Sequence, residues 1–329
     1  LRGLQTYSNR PKPYINRLIE LLRESTLGCQ MQGVYLDIWV YADDIVLLAP
    51  SRNALQEVVN ICEQYAKRKL LTFSTNRDIA KSKTKCLIFT KSVIDINNIC
   101  PIILNGVPLP YVSEVKHLGN ILQTNNSMNK DCDVKRAKFI SMIHSLNQEF
   151  HFVHSYLVVQ LYKIYATSFH GSSIWNLYSN NVSRLYTSWN IAIRILFKIP
   201  RETHRYFIEP LSDSIHVKTM LCSRFVSFFD SLCNSSKFCI RFLANLAKDD
   251  QRSVLGQNLT NISADCNVDK IALSSRLVKR NMYYSRMQDE DKWKVLILKE
   301  LLECKYTSSF IPDFNVNDID AMISFICTS

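Results

Sequence analysis

Residues 34–50, VYLDIWVYADDIVLLAP, place two adjacent carboxylates, Asp43 and Asp44, between two apolar runs. Few folds accept neighbouring like charges in what otherwise reads as buried strand. Residues 34–40 and 45–48 read as two strands that meet at Ala42, Asp43 and Asp44, which predicts a hairpin with the aspartates at its tip. Two carboxylates about 4 Å apart repel by roughly 4 kcal/mol at an effective dielectric of 20. The repulsion is relieved if the pair titrates upward, is fully solvated, or binds a divalent cation. Hard oxygen ligands suit Mg2+. Two Mg2+ ions held by carboxylates can activate an attacking oxygen and stabilise a leaving one in phosphoryl transfer. The plain alternative is a solvated Asp–Asp turn, because turns are rich in Asp.

The flanking sequence predicts helices on both sides. Residues 14–27 carry Ile15, Leu18, Ile19 and Leu22 at helical spacing, with Gly28 able to end the helix. Ser51 stands at an N-cap position before residues 51–69, where Leu55, Val58, Val59, Cys62 and Ala66 share a face. Short strands are predicted at 71–74 and 85–89, a hairpin turn at Asn105–Gly106, and a further strand region over 113–122. After about residue 124 the patterns turn helical, over 128–150, 156–169, 182–197 and onward. An α+β part therefore precedes an all-α part.

At 329 residues the chain is long enough for more than one domain. Lys and Arg number 40 against 29 for Asp and Glu, a net charge of +11 that favours polyanionic partners such as nucleic acid. Eleven cysteines show neither a CxxC pair nor the Cys/His spacing of a zinc site, so the thiols are expected to be reduced and packed. His151 and His154 lie three apart without a third ligand and read as helix-surface residues. No apolar run reaches the roughly 18 residues a membrane span needs. No secretion signal opens the sequence, and a nuclear or cytoplasmic location is expected.

The segment YADDIVLLAPSRNALQEVVNICEQYA is similar to the active-site hairpin and following helix of non-LTR (LINE-type, jockey- and CR1-like) retrotransposon reverse transcriptases. Further segments resemble that family in the same order. YINRLIELLREST lies upstream. Lys83 to Phe89, KTKCLIF, resembles a KT-x-x-M-x-F segment. VKHLG at 115–119 resembles a YLG-type segment, with His117 where Tyr is common. Further on come GSSIW at 171–175, NIAIRILFKIP at 190–200, and Thr203–His204. The resemblance implies an α+β fold: a partial palm over 31–125, a helical thumb over 126–200 and a helical region over 201–329. Residues 1–30 would hold a degenerate remnant and the palm helix.

The implied reaction is RNA-templated DNA synthesis on a DNA primer with dNTPs and Mg2+. By the resemblance, Asp43 and Asp44 are the catalytic metal ligands, and Lys83 neutralises or protonates the leaving pyrophosphate. Tyr41 and Ala42 lie against the primer terminus and nucleotide. His117, Leu118 and Gly119 grip the primer end. Lys67, Arg68, Lys69, Lys81, Lys85 and Lys91 either contact phosphates or form solvated faces. Lys83 has its own plain alternative, a solvated edge-strand lysine. Trp175 and Trp189 are expected in the core rather than stacked on bases.

The chain departs from the family pattern near its start. Such polymerases need a further catalytic Asp from an earlier strand, yet residues 1–30 contain no Asp and the first is Asp37. Residues 1–13, LRGLQTYSNRPKP, fit the family's RQGG-type segment poorly and are expected to be a frame-shifted or mis-spliced remnant. Two carboxylates from one hairpin do not enforce a two-metal geometry, so the expectation is a truncated polymerase, inactive alone. The alternative is a non-catalytic basic module that binds nucleic acid, or a degenerate relic.

Overall fold

The computed structural model describes residues 13–76, 78, 81–90, 98–153, 155–198, 200–201 and 215–284. Residues 1–12, Lys91, His154, Thr203, His204, Cys304 and Cys327 lie outside the described residues. The described chain mixes helices with small antiparallel hairpins and divides into two compact units. One comprises the described residues up to His117 together with Leu122–Ser127. The other comprises Leu118–Ile121 and the described residues from Met128 onward.

In the first unit, helix α1 (Pro13–Ser25) buries Ile15, Leu18 and Leu22, the stripe that its spacing predicts. The predicted stop at Gly28 is corrected. The chain reverses at Thr26, whose φ is +56°, and Ser25 Oγ donates to Leu22 O at 2.6 Å. Gly28 instead allows a close approach, since a Cβ there would collide with Cβ of Asp37.

Helix α2 (Arg52–Arg68) starts where predicted, with Ser51 Oγ accepting from Ala54 N. It buries two adjacent faces. Val58, Cys62 and Tyr65 pack with Leu18 and Leu22 of α1, while Val59 packs with Cys86, Ile102, Leu104 and Leu109.

The strand predicted over 34–40 is two pieces. β1 (Gln30–Met31) pairs with β2 (Val34–Tyr35), and β3 (Ile38–Tyr41) pairs with β4 (Asp44–Leu47), both antiparallel. The break falls at Leu36–Asp37. There Oδ1 of the buried Asp37 accepts from Ile38 N at 3.0 Å instead of leaving that amide to a ladder. The segments stay joined through Leu36 N to Cys29 O, Cys29 N to Leu48 O and Leu48 N to Asp37 O, at 2.8, 3.0 and 2.7 Å.

Residues 71–74 and 85–89 are not strands. A single parallel bridge joins Cys86 to Tyr111, with Cys86 N donating to Pro110 O and Val112 N to Cys86 O. Pro110 has no N–H to carry the pairing a step further toward residue 84. The Asn105–Gly106 hairpin is present, with β5 (Ile103–Leu104) against β6 (Val107–Pro108). Its φ values of +52° and +71° are those of a type I′ turn. The predicted strand region over 113–122 is itself a hairpin, β7 (Glu114–His117) and β8 (Asn120–Gln123).

The second unit is helical: α3 (Asn129–Glu149), α4 (Ser155–Tyr165), α5 (Asn180–Phe197), α6 (Val217–Cys233), α7 (Phe238–Asp249), α8 (Val254–Cys266) and α9 (Ser275–Tyr284). Phe139 and Ile143 of α3, Val159 and Tyr162 of α4, and Leu185, Trp189 and Ile193 of α5 are buried, as are Leu221 and Phe225 of α6. Between α4 and α5 a short 3-10 turn, Ser172–Ile174, leads into the fully buried Trp175 and Leu177. The described cysteines form no disulfide. Burial pushes the thiols of Cys62 and Cys132 up to about 12 and that of Cys86 to about 11. No described helix is long and apolar enough to cross a membrane.

Candidate functional site

The aspartates sit where strand alternation and register put them. Pairing of Ile38 with Leu47 and Val40 with Ile45 builds one face of the β3–β4 hairpin, and Ile38, Ile45 and Leu47 pack on the α1–α2 core. Trp39 with Val46 and Tyr41 with Asp44 form the opposite face. Asp44 therefore ends its strand on the face away from the core, beside Tyr41, with Asp43 in the two-residue loop. Tyr41, Ala42, Asp43 and Asp44 are all exposed. Both charges are therefore open to solvent.

The loop carries strain. Of its two residues Ala42 alone has positive φ, +54°, at a position that favours Gly. A Cβ in that conformation costs roughly 1–2 kcal/mol. Ala42→Gly removes that strain but frees the unfolded chain by about 0.4–1 kcal/mol. A net gain in stability of up to about 1.6 kcal/mol is expected, read as a higher urea midpoint. A lower midpoint would show that the turn is not strained.

The basic residues divide by partner. Lys67 Nζ pairs with Glu63 at 2.5 Å, and Lys81 Nζ lies 3.6 Å from Asp78. The Lys67 bond and the Asn105 amide together hold the Glu63 carboxyl below its ordinary range. Arg68 and Lys69, at the end of α2, and Lys83 are exposed, and none pairs with another described residue; Lys85 is half-buried. Lys83 lies in a bend outside any strand, so its edge-strand alternative is corrected along with the predicted strand. Its neighbour Ser82 is buried and donates to Thr84 O.

The VKHLG segment lies on the second hairpin: His117 ends β7, and Leu118 and Gly119 form the turn, with φ of +46° and +81°. This is the same turn type as Asn105–Gly106, but with Leu in the place that Asn occupies there. Leu at positive φ is strained. The tip meets a group of side chains of which sequence reasoning singled out only Trp175. Asp131 Oδ1 accepts from Ile121 N at 3.0 Å, and its Oδ2 accepts from Trp175 Nε1 at 2.8 Å and Lys135 Nζ at 2.7 Å. Lys135 Nζ also donates to Asn120 Oδ1 at 2.7 Å. His170 Nε2 lies 3.1 Å from Leu118 O. The i,i+4 spacing of Asp131 and Lys135 was visible in the sequence; that they reach Ile121 and Asn120, just past the turn, was not. Trp175 and Trp189 are core residues, as expected, and Trp189 packs edge-on against His216 at 4.6 Å.

Over 134 residues the chain is 29% identical to the retrovirus-related Pol polyprotein from type-1 retrotransposable element R1 of Bradysia coprophila, a match covering 39% of this chain. The chain is retrotransposon-related. It spans only 12% of the length of that relative. No protein-family profile matches it.

Asp43 and Asp44 bring two hard oxygen ligands to the hairpin tip. Among the described residues no group of three or more His, Cys, Asp or Glu side chains is placed to hold a metal ion.

Proposed function

We propose that the chain is a piece of a retrotransposon reverse transcriptase, with the first unit belonging to the palm and the second to the thumb and the helical region beyond it. The observation that carries this reading is the β3–β4 hairpin. It turns two adjacent carboxylates away from the core into solvent, beside Tyr41, in a chain similar to a retrotransposon Pol polyprotein. In the complete enzyme Asp43 and Asp44 would supply two ligands of a Mg2+ site whose remaining ligands come from elsewhere. Tyr41 and Ala42 would line the nucleotide and primer terminus. Lys83, exposed and without a described ion-pair partner, would offer charge to the departing pyrophosphate. His117, Leu118 and Gly119 would contact the primer end. The template is RNA, the primer DNA and the substrate dNTP.

A second reading, a basic module that binds nucleic acid without catalysis, is favoured by the lack of a third carboxylate beside Asp43 and Asp44 among the described residues. One experiment addresses both. The chain is mixed with a DNA primer annealed to an RNA template, and binding and dNTP incorporation are measured with Mg2+ and with Mn2+. Binding is expected to weaken on the order of 50-fold between about 50 and 200 mM salt if three phosphates are neutralised. Incorporation is expected to stay at background. Template-dependent incorporation would overturn the view that this chain is incomplete, and binding without salt dependence would sink both readings.

A further inference from the structure

We propose that Asp131 is a positioning residue, holding the Leu118–Gly119 turn in the shape that meets the end of a nucleic-acid strand. The inference rests on the reading that the His117–Gly119 segment contacts a primer end, and it names what keeps that segment in place.

Three observations converge on it. First, the turn does not hold its shape by its own residue preferences. Its geometry matches that of Asn105–Gly106, yet its first residue is Leu, at a φ of +46°. A strained backbone persists only where its surroundings over-determine it. Second, the surroundings do so. Asp131 is 1% exposed and accepts three hydrogen bonds: one from the Ile121 amide just past the turn, one from the Trp175 indole and one from Lys135. Lys135 passes the restraint on to Asn120 and lies 5.5 Å from the Trp175 ring centroid. Third, the loop after α4 closes the other side of the tip. His170 reaches the Leu118 carbonyl, and a Cβ on Gly171 would collide with Asn120 Oδ1. Phe169, with φ of +38°, is a second strained residue in that loop.

The chemistry of this group points to restraint rather than contact. A buried carboxylate whose oxygens are both occupied by protein donors has little capacity left for a phosphate, and its charge would repel one. The turn it restrains is different: Gly119 is exposed, with the His170 ring against the side a Cβ would take, so a strand end meets the turn on its open face.

The test uses the full chain. Fluorescence anisotropy compares binding to an RNA–DNA hybrid with a recessed DNA 3′ end against the same hybrid with blunt ends. Hydrogen exchange follows the amides of residues 117–123. Wild type is expected to prefer the recessed end at least fivefold, with Ile121 the slowest amide of the segment. Asp131→Asn keeps the size but sets an NH2 group against a donor. It is expected to speed exchange at Ile121 at least tenfold and to abolish the end preference, leaving salt-dependent binding to the blunt hybrid unchanged. Trp175→Phe keeps the ring and removes one donor; it is expected to shift both readouts in the same direction, and it serves alone if Asp131→Asn does not fold. Loss of the preference together with faster exchange supports the proposal. A preference that survives when exchange speeds up, or unchanged exchange at Ile121, overturns it and leaves the primer-end reading intact. A wild-type chain with no end preference overturns that reading and the proposal with it. In that case slow exchange at Ile121 would mark Asp131 as purely structural.

Discussion

Asn258→Ala is expected to lower the unfolding free energy of the second unit by about 2–6 kcal/mol, from two stranded backbone groups at roughly 1–3 kcal/mol each. Asn258 sits on α8 with no exposed surface. Its Nδ2 donates to Trp175 O at 2.8 Å and its Oδ1 accepts from Leu177 N at 3.0 Å. One side-chain amide thus ties down the bend and turn that carry the buried Trp175 and Leu177. Alanine leaves both groups buried without that partner. Asn258→Asp is a sharper comparison, because it keeps the acceptor for Leu177 but faces the Trp175 carbonyl with another oxygen. Urea titration by circular dichroism reads both variants. A loss under about 1 kcal/mol for Asn258→Ala would show that the segment finds other partners.

Raising the pH from about 8 to about 10.5 is expected to destabilise the first unit by about 4 kcal/mol through two buried thiols. Cys62 and Cys86 are buried, and desolvation raises their thiols to about 12 and about 11 from an ordinary 9.0. The sign follows from where the proton is held. Below about pH 9 the thiol is neutral in both states and its contribution is intact. Between the ordinary value and the raised ones, the unfolded chain gives up a proton that the folded one keeps, so stability falls as pH rises. Each thiol contributes a slope of about 1.4 kcal/mol per pH unit, or about 4 kcal/mol for the pair by roughly pH 10.5. Urea midpoints near pH 8 and near pH 10.5 for wild type and the Cys62→Ala, Cys86→Ala double variant provide the check. The variant starts less stable but is expected to lose about 4 kcal/mol less over that span. Equal losses would mean the thiols are not held neutral.

Much of the local structure was legible because periodicity and capping are local. Leu18 and Leu22, the Ser51 cap, the Asn105–Gly106 turn and the apolar face of α5 all announce themselves within a few residues. What misled was context. Residues 34–40 look like one strand, but Asp37 binds the next amide and divides it. Residues 85–89 have strand composition, but the neighbour they need contains Pro110. The aspartates were legible as the tip of a hairpin because two apolar runs flank them; which face Asp44 takes came from the register. The group around Asp131 was not. Its members come from three separate stretches, and only Asp131 and Lys135 share a helix.

The division of the chain has a practical corollary for dissecting it. The backbone changes unit three times, after His117, after Ile121 and after Ser127. No single cut separates the two halves cleanly. A fragment beginning at Met128 would lack Asn120 and Ile121, leaving Asp131 one donor short and Lys135 without its second acceptor. A fragment ending at Ser127 would carry the Leu118 turn away from His170. Limited proteolysis or truncation near residue 127 should therefore yield pieces that refold less well than their sizes suggest, and a soluble helical half should begin upstream of the β7–β8 turn.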